Sequence, residues 1–232
     1  MVFIVAEIGV NWEGDFEILV DMIKNSKSAG CDAVKLQCFQ KNTVKNHLKS
    51  LTLMKSTISD TNIEMVNDLA KKNQIEWFCT PMYPQAVTLL EPYVKRYKMR
   101  FIDGNYLIEN QKSDLFNAIL KTDKEIMISC QKSPKNSKYF NNPKIHWLYC
   151  VPKYPCKISD LDFSNLSDFT GYSNHCPLIA APLTAAILGA EIIEIHITSD
   201  KTRDFIDNSV SFDYNELNEL VRLIRVTEKI KK

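Results

Sequence analysis

The sequence Phe169-Thr-Gly-Tyr-Ser-Asn-His175 is followed by an alanine-rich run and then by Ile192-Ile-Glu-Ile-His-Ile-Thr198. This order predicts a strand, a turn that carries a histidine, a crossover helix and a second strand. If the two strands are parallel neighbours, their carboxyl ends bring His175 and His196 together. Glu194 shares a strand face with His196, because residues i and i+2 of a strand point the same way. The stretch therefore predicts a two-histidine metal site, with ordinary interior or surface histidines as the alternative.

Short apolar runs recur along the rest of the chain, with helical patterns between them. They predict eight strands, at 3–8, 33–39, 76–79, 97–102, 125–130, 145–150, 168–171 and 192–198. The polar segment 132–142 predicts a loop or a turn of helix in place of a crossover helix. Eight alternating units predict a closed (β/α)8 TIM barrel that forms a single domain over residues 1–232. An open doubly wound sheet is the alternative, and no phosphate-binding glycine motif follows the first strand to support it.

Composition excludes several classes of partner. The formal net charge of +1 provides no basic field for nucleic acid. No apolar run approaches the length of a membrane span. The seven cysteines have no paired or C-x-x-C spacing, which predicts buried free thiols in a reducing cytoplasm. A thiol nucleophile at Cys176, next to His175, is a minor alternative.

Polar residues end or follow the predicted strands, and the carboxyl ends of the strands are where a barrel of this kind has its functional site. These residues are Glu7, Asn11, Lys35, Gln37, Thr80, Lys98, Arg100, Ser129, Gln131, Lys153, Tyr154, Ser173, Asn174, His175, Glu194 and His196. Lys35 and Glu194 lie inside apolar strands, where a charge is costly unless it is paired or lines a wet cavity. A buried Lys–Glu pair that only fills the barrel is the alternative to a site.

Six motifs occur in the order and spacing of one enzyme family. They are Ala6-Glu-Ile-Gly-Val-Asn-Trp-Glu-Gly14, Asp32-Ala-Val-Lys-Leu-Gln37, Phe78-Cys-Thr-Pro81, Tyr149-Cys150 with Tyr154-Pro155, Gly171-Tyr-Ser-Asn-His175 and Ile193-Glu-Ile-His-Ile-Thr198. In these motifs the chain resembles the sialic acid synthase family, from about residue 3 to residue 225. Enzymes of that family condense phosphoenolpyruvate with N-acetylmannosamine or a related aldose. The resemblance therefore implies a transferase that forms a sialic or other nonulosonic acid and phosphate. A weak or inactive sugar- or phosphate-binding homologue that acts in a complex is the alternative.

The resemblance also implies roles for individual residues. His175 and His196 would hold a divalent metal, Mn²⁺ or Mg²⁺, which polarises the sugar aldehyde. Positions that bind the phosphate and carboxylate of phosphoenolpyruvate are matched by Lys35, Thr80, Lys98, Ser129 and Ser173. Positions that contact the sugar are matched by Glu7, Gln37, Tyr154 and Asp207. Glu194 matches a carboxylate beside the metal that could orient the attacking water, so the candidate catalytic residues are Glu194, Glu7 and Lys35.

The chain departs from the family pattern at both ends of the site. Lys98-Met-Arg-Phe101 stands where the family has Lys-Ile-Ala-Ser, so Arg100, on the same predicted strand face as Lys98, is expected to replace a lost phosphate-binding hydroxyl. Phe205 and Ile206 replace a Gly-Pro pair before Asp207 and are expected to form a lid or to narrow the pocket. In the family a C-terminal antifreeze-like domain closes the partner subunit's site, and we expect this protein to act without that domain. The missing wall would come from these loops, from a homodimer or from a lid-supplying protein.

Overall fold

A computed structural model describes residues 1–230 of the chain. Eight parallel strands follow one another around a closed barrel, and the last pairs with the first. They are β1 (Phe3–Gly9), β2 (Ala33–Cys38), β3 (Glu76–Pro81), β4 (Arg96–Met99), β5 (Glu125–Cys130), β6 (Ile145–Tyr149), β7 (Gly171–Asn174) and β8 (Ile192–His196). The predicted (β/α)8 barrel is confirmed. The predicted domain runs to Lys232, and its last two residues, Lys231 and Lys232, lie outside the described part.

Nine α-helices connect or cover the strands within residues 1–230. They are α1 (Phe16–Ala29), α2 (Lys41–Val44), α3 (Ser50–Lys55), α4 (Ile63–Lys72), α5 (Pro84–Leu90), α6 (Phe101–Ile108), α7 (Asp114–Leu120), α8 (Ala180–Ile187) and α9 (Tyr214–Ile230). The sequence sets the ends of α1, since the Asp15 carboxylate accepts hydrogen bonds from the first turn and Gly30 ends the helix at a φ of 89°. Among residues 1–230, the structure has no helix whose length and apolarity would carry it through a bilayer.

The crossovers on either side of β6 differ from the others. Every residue from 131 to 170 is described, and apart from β6 this segment holds only short 3-10 turns, at Pro134–Asn136, Ile158–Asp160 and Leu166–Asp168. The prediction of a loop or a turn of helix at 132–142 is therefore confirmed. All seven cysteines are free and buried, as their spacing predicted.

The predicted bounds of the fourth strand are wrong. β4 ends at Met99, and α6 begins two residues later and packs on β5. The close approach depends on Gly104, because a Cβ there would lie 2.1 Å from the carbonyl oxygen of Ser129. Residues 101 and 102, which the sequence predicts at the end of a strand, thus belong to a helix that packs against the next strand.

The predicted bounds of the seventh strand are also wrong, because β7 starts at Gly171, where the prediction ends. Asp168 belongs to a 3-10 turn instead. Its carboxylate pairs with the Lys135 ammonium at 2.5 Å and accepts a hydrogen bond from the Ser133 hydroxyl at 2.6 Å. The later start places Ser173 inside the strand and His175 directly after it.

Apolar side chains fill the space between the barrel and the helices, whereas buried polar side chains cluster inside the barrel at the carboxyl ends of the strands. The buried polar set includes Glu7, Asn11, Lys35, Thr80, Lys98, Ser129, Ser173, His175, Glu194 and His196. Burying this many polar groups is unfavourable unless they pair with one another or with a ligand. This end of the barrel is therefore where a functional site is expected.

Candidate functional site

A cavity of about 430 Å³ opens at the carboxyl ends of the strands. All the residues with a predicted role in the site line it, namely Glu7, Lys35, Gln37, Thr80, Lys98, Arg100, Ser129, Tyr154, Ser173, His175, Glu194, His196 and Asp207. Four other polar residues at predicted strand ends do not line it, namely Asn11, Gln131, Lys153 and Asn174. The strand pairing explains this convergence, because Glu7 of β1 lies opposite Lys35 of β2 and opposite His196 of β8. The fold therefore brings the predicted residues together, and their roles stay predictions.

Lys35 lies at the centre of the cavity floor. Its ammonium is 2.8 Å from Glu7 Oε2 and 3.9 Å from Glu194 Oε2, and it donates a hydrogen bond to Thr80 Oγ1 at 3.0 Å. Burial would lower the pKa of Lys35, but the two carboxylates outweigh burial and raise it. Lys35 is therefore a charged ammonium that is held between two carboxylates and a hydroxyl.

Lys98 provides a second cation on the other side of Glu194. Its ammonium donates to Ser129 Oγ at 2.6 Å and lies 3.6 Å from Glu194 Oε1, which also accepts a hydrogen bond from Ser173 Oγ at 2.8 Å. Burial would raise the pKa of Glu194, but Lys35, Lys98 and Ser173 together lower it to about 2. Burial raises the pKa of Glu7, against the opposing effect of Lys35. The alternative of a buried Lys–Glu pair is thus present as a contact, but the four charged groups line an open cavity instead of filling the barrel.

His175 is held as a neutral imidazole. Its Nδ1 lies 2.8 Å from the carbonyl oxygen of Val151, which can only accept, so Nδ1 carries the proton. Burial and the neighbouring His196 lower the pKa of His175 to about 3. The lone pair on Nε2 therefore faces the cavity, where the hydroxyl of Tyr154 lies 2.7 Å away.

His196 faces the same point from β8. Its Nε2 is 3.3 Å from the Tyr154 hydroxyl, and the two imidazole centroids are 5.5 Å apart. Its Nδ1 lies 3.4 Å from Asp207 Oδ2. Burial would lower the pKa of His196, but Asp207 outweighs burial and raises it.

The two histidines fit the divalent metal that the resemblance implies. Their Nε2 atoms converge on one position, and their Nδ1 atoms face a backbone carbonyl and the Asp207 carboxylate, which are the usual outer contacts of metal-bound histidines. Within residues 1–230, no group of three or more His, Cys, Asp or Glu side chains is arranged to hold a metal. His175 and His196 would thus be two ligands, with the other positions left to water or substrate.

Three of the four residues expected to contact the sugar, all except Tyr154, converge on Gly9. A Cβ on Gly9 would lie 3.0 Å from Glu7 Oε1, 3.2 Å from Gln37 Nε2 and 3.4 Å from Asp207 Oδ2, so the missing side chain leaves these groups accessible to one ligand. Gln37 also donates a hydrogen bond to Glu7 at 3.0 Å. The backbone N–H of Asp207 donates to Asn11 Oδ1 at 3.0 Å, which fixes this loop to the end of β1.

The expectation that Arg100 shares a strand face with Lys98 is wrong. Arg100 lies after the end of β4 and precedes α6, where its Nε donates to Asp103 Oδ2 at 2.9 Å. Another guanidinium nitrogen lies 3.5 Å from the sulfur of Met82. Arg100 therefore lines the rim of the cavity, while Lys98 and its partners lie on the floor.

The two residues that replace Gly-Pro have different positions. Phe205 is only 3% exposed and lies under the guanidinium of Arg203, whose Cζ is 4.4 Å from the ring centroid. Ile206 lines the cavity. Of the two expected lid residues, Ile206 alone contributes to the mouth of the site.

Sequence reasoning missed several residues of the cavity. Cys150 lines it, with its sulfur 3.7 Å from His175 Nδ1, whereas Cys176 is fully buried outside it. The position of Cys150 at the end of a predicted strand was a usable signal. Val10 and Leu53 also line the cavity, and nothing in their local sequence indicates it.

Comparisons with known proteins point to one family, because the NeuB family model matches residues 22–232. An uncharacterised protein of Methanocaldococcus jannaschii is 28% identical over 98% of this chain and 71% of its own length. A pseudaminic acid synthase of Campylobacter jejuni is 25% identical over 98% of this chain and 74% of its own. An N-acetylneuraminic acid synthetase of Leptospira borgpetersenii, solved with citrate, superimposes with a TM-score of 0.88 at 26% identity, over 99% of this chain and 85% of that one. The predicted resemblance to the sialic acid synthase family is confirmed, and the chain belongs to the NeuB family.

Proposed function

We propose that this protein condenses phosphoenolpyruvate with an aldose, N-acetylmannosamine or a related amino sugar, to give a nonulosonic acid and phosphate in a metal-dependent reaction. One observation carries the proposal. The floor of a single cavity holds two lysines with hydroxyl donors beside two histidines whose Nε2 atoms converge. Cations with hydroxyl donors suit a carboxylate and a phosphate, and convergent imidazole nitrogens suit a divalent metal.

Phosphoenolpyruvate would bind at the lysines. Lys35 and Lys98 lie on either side of Glu194, and the hydroxyls that accept from them, Thr80 and Ser129, could turn to donate to a phosphate or carboxylate oxygen. Each lysine is already paired with a carboxylate, so the incoming anion would share these cations with Glu7 and Glu194. Binding at this position would place the C3 carbon of the substrate near the two histidines.

The reaction forms a carbon–carbon bond between C3 of phosphoenolpyruvate and the aldehyde carbon, and the aldehyde oxygen gains a proton. Water then adds to C2 and loses a proton, and the bond from C2 to the phosphate oxygen breaks to leave a keto acid. Glu194, which the two lysines keep ionised, would orient this water and accept its proton. A divalent metal on His175 and His196 would polarise the aldehyde oxygen as a Lewis acid.

The sugar would extend from the histidines over Gly9. Glu7, Gln37 and Asp207 surround that position and would exchange hydrogen bonds with its hydroxyl or N-acyl groups. The hydroxyl of Tyr154 contacts the Nε2 atoms of both histidines, so it lies at the position where a metal held by both would bind.

Phosphate release tests this proposal. The purified protein is mixed with phosphoenolpyruvate, Mn²⁺ and N-acetylmannosamine or a related aldose, and we expect phosphate only when all three are present. His196→Ala should abolish release, whereas His146→Ala, which changes a half-buried histidine outside the cavity, should retain it. A protein whose melting temperature rises with phosphoenolpyruvate but which releases no phosphate would be the binding homologue instead. If neither response occurs, the proposal is wrong.

A further inference from the structure

A small hydrophobic cluster lies at the mouth of the cavity, separate from the main core. Val10, Phe39 and Leu53 form it, and Met82 and Ile206 are among the side chains that pack against them. Four of these residues also line the cavity, and we call Val10, Leu53, Met82 and Ile206 the apolar wall. Val10, Met82 and Ile206 come from the loops after β1, β3 and β8, and Leu53 comes from α3, which follows β2. The wall is therefore built by residues that are distant in sequence.

The apolar wall lies directly beyond the polar groups of the sugar side. Ile206 precedes Asp207 in the chain, and Val10 follows Gly9, where Glu7, Gln37 and Asp207 converge. An aldose with its aldehyde at the histidines would therefore meet polar partners first and the apolar wall last. The end of the sugar remote from the aldehyde is the part that contacts the wall.

Two cations of the neighbouring loops, Lys49 and Arg203, are engaged outside the cavity. The Lys49 ammonium lies 2.6 Å from Asp204 Oδ2 and donates to the Asp204 carbonyl at 2.8 Å. Arg203 covers the ring of Phe205. Neither cation lines the cavity, and the Lys49–Asp204 contact ties the loop after β2 to the loop after β8. His47 and Arg100 do line the cavity, and one guanidinium nitrogen of Arg100 lies 3.5 Å from the sulfur of Met82. The Nε of Arg100 donates to Asp103 Oδ2 at 2.9 Å, so this cation already has a carboxylate partner.

We infer that the aldose ends in a methyl group at the carbon remote from its aldehyde, and not in a hydroxymethyl group or a phosphate. This inference rests on the proposed function and specifies its substrate class. A hydroxyl placed against the wall would lose its hydrogen bonds to water without gaining others. Apolar pockets discriminate between a substrate with a methyl group and one with an added hydroxyl by about 10- to 100-fold.

Three matched substrates test the inference. They are N-acylated mannosamines that differ only at C6, as the deoxy, hydroxy and phosphorylated forms, and kcat/KM is measured for each with phosphoenolpyruvate and Mn²⁺. We expect the deoxy sugar to be preferred by about tenfold or more over both others. Equal values, or a preference for the hydroxy or phosphorylated sugar, would overturn the inference and leave the proposed function intact.

A variant of the wall locates the preference. Ile206→Ser should bring the ratio of kcat/KM for the deoxy and hydroxy sugars close to one. Leu51→Ser is the matched control, because Leu51 lies in the same helix, α3, as Leu53 but is 82% exposed and does not line the cavity. A ratio that is unchanged in Ile206→Ser, or equally reduced in Leu51→Ser, would overturn the assignment to the wall.

Measuring the binding of the sugars, as well as their turnover, distinguishes a failure of this inference from a failure of the proposed function. If none of the three sugars is turned over, the proposed function is wrong for these substrates. Calorimetric titration of the deoxy and hydroxy sugars then tests the wall alone. Tighter binding of the deoxy sugar supports it, and equal or weaker binding overturns it.

Discussion

Replacing Lys35 with methionine tests the charge balance on the cavity floor. The ammonium of Lys35 lies 2.8 Å from Glu7 Oε2, and the two side chains are 4% and 1% exposed. Methionine keeps much of the apolar stem of lysine, so the main change is the loss of the charge. Glu194 retains Lys98 at 3.6 Å, whereas Glu7 loses its ion pair.

The magnitude follows from the protonation of Glu7. A buried carboxylate without a cation can take up a proton. Protonating an ordinary glutamate, whose pKa is about 4.3, costs about 1.4 kcal/mol for each pH unit above that value. Near pH 7 this amounts to about 3.7 kcal/mol, within the roughly 3–5 kcal/mol found when one partner of a buried pair is removed. We therefore expect Lys35→Met to lower the free energy of unfolding by about 3–4 kcal/mol.

Denaturant unfolding at two pH values measures this effect. The folded variant would hold more protons on Glu7 than the unfolded chain, so its stability should rise as the pH falls. Lowering the pH from about 7 to about 5 should recover about 2.7 kcal/mol relative to the wild-type protein. A second change, Glu7→Gln, should remove that pH dependence. A loss of less than about 1 kcal/mol in the free energy of unfolding, or a loss that is the same at both pH values, would show that Lys35 does not stabilise an ionised Glu7.

Three further predictions concern the helix, the sugar and the metal. Gly104→Ala places a Cβ 2.1 Å from the Ser129 carbonyl oxygen, so we expect overpacking to lower the free energy of unfolding by about 1–3 kcal/mol. A denaturant titration measures this, and an unchanged free energy of unfolding would mean that α6 does not pack so closely on β5. Asp207→Ala should raise KM for the aldose with little change in KM for phosphoenolpyruvate, and equal effects on both would remove Asp207 from the sugar side. His196→Ala should abolish the binding of Mn²⁺ measured by calorimetry, and Mn²⁺ binding that persists in this variant would contradict the metal assignment.

The barrel could be predicted because its signals are local. Short apolar runs and helical patterns alternate along the sequence, and a closed parallel barrel follows from their number. The convergence of His175, His196 and Glu194 could also be predicted, since parallel strands end at the same edge and residues two apart share a face. These inferences need no knowledge of side-chain contacts.

The bounds of two strands could not be predicted because distant contacts set them. α6 begins where it does since Gly104 allows it to approach Ser129 of the next strand. The late start of β7 goes with the capture of Asp168 by Lys135 and Ser133, more than thirty residues earlier. Local propensity contains neither contact.

The apolar wall could not be predicted for the same reason. Val10, Leu53 and Ile206 occur in three separate connections between strands, and each is an ordinary apolar residue in its own segment. They share a cavity only because the barrel closes and brings the connections after β1, β2 and β8 side by side. The polar floor, in contrast, could be read from residues on the strands themselves.

The fate of C3 of phosphoenolpyruvate tests the central claim most directly. Phosphoenolpyruvate labelled with carbon-13 at C3 is incubated with the protein, Mn²⁺ and the aldose, and the products are followed by carbon and phosphorus NMR. If the proposed condensation occurs, the vinyl signal becomes a methylene bonded to a new carbinol carbon, and one phosphate is released for each methylene formed. A labelled methyl group, the signature of pyruvate formed by simple hydrolysis, or a labelled substrate that remains unchanged with each aldose, would contradict it.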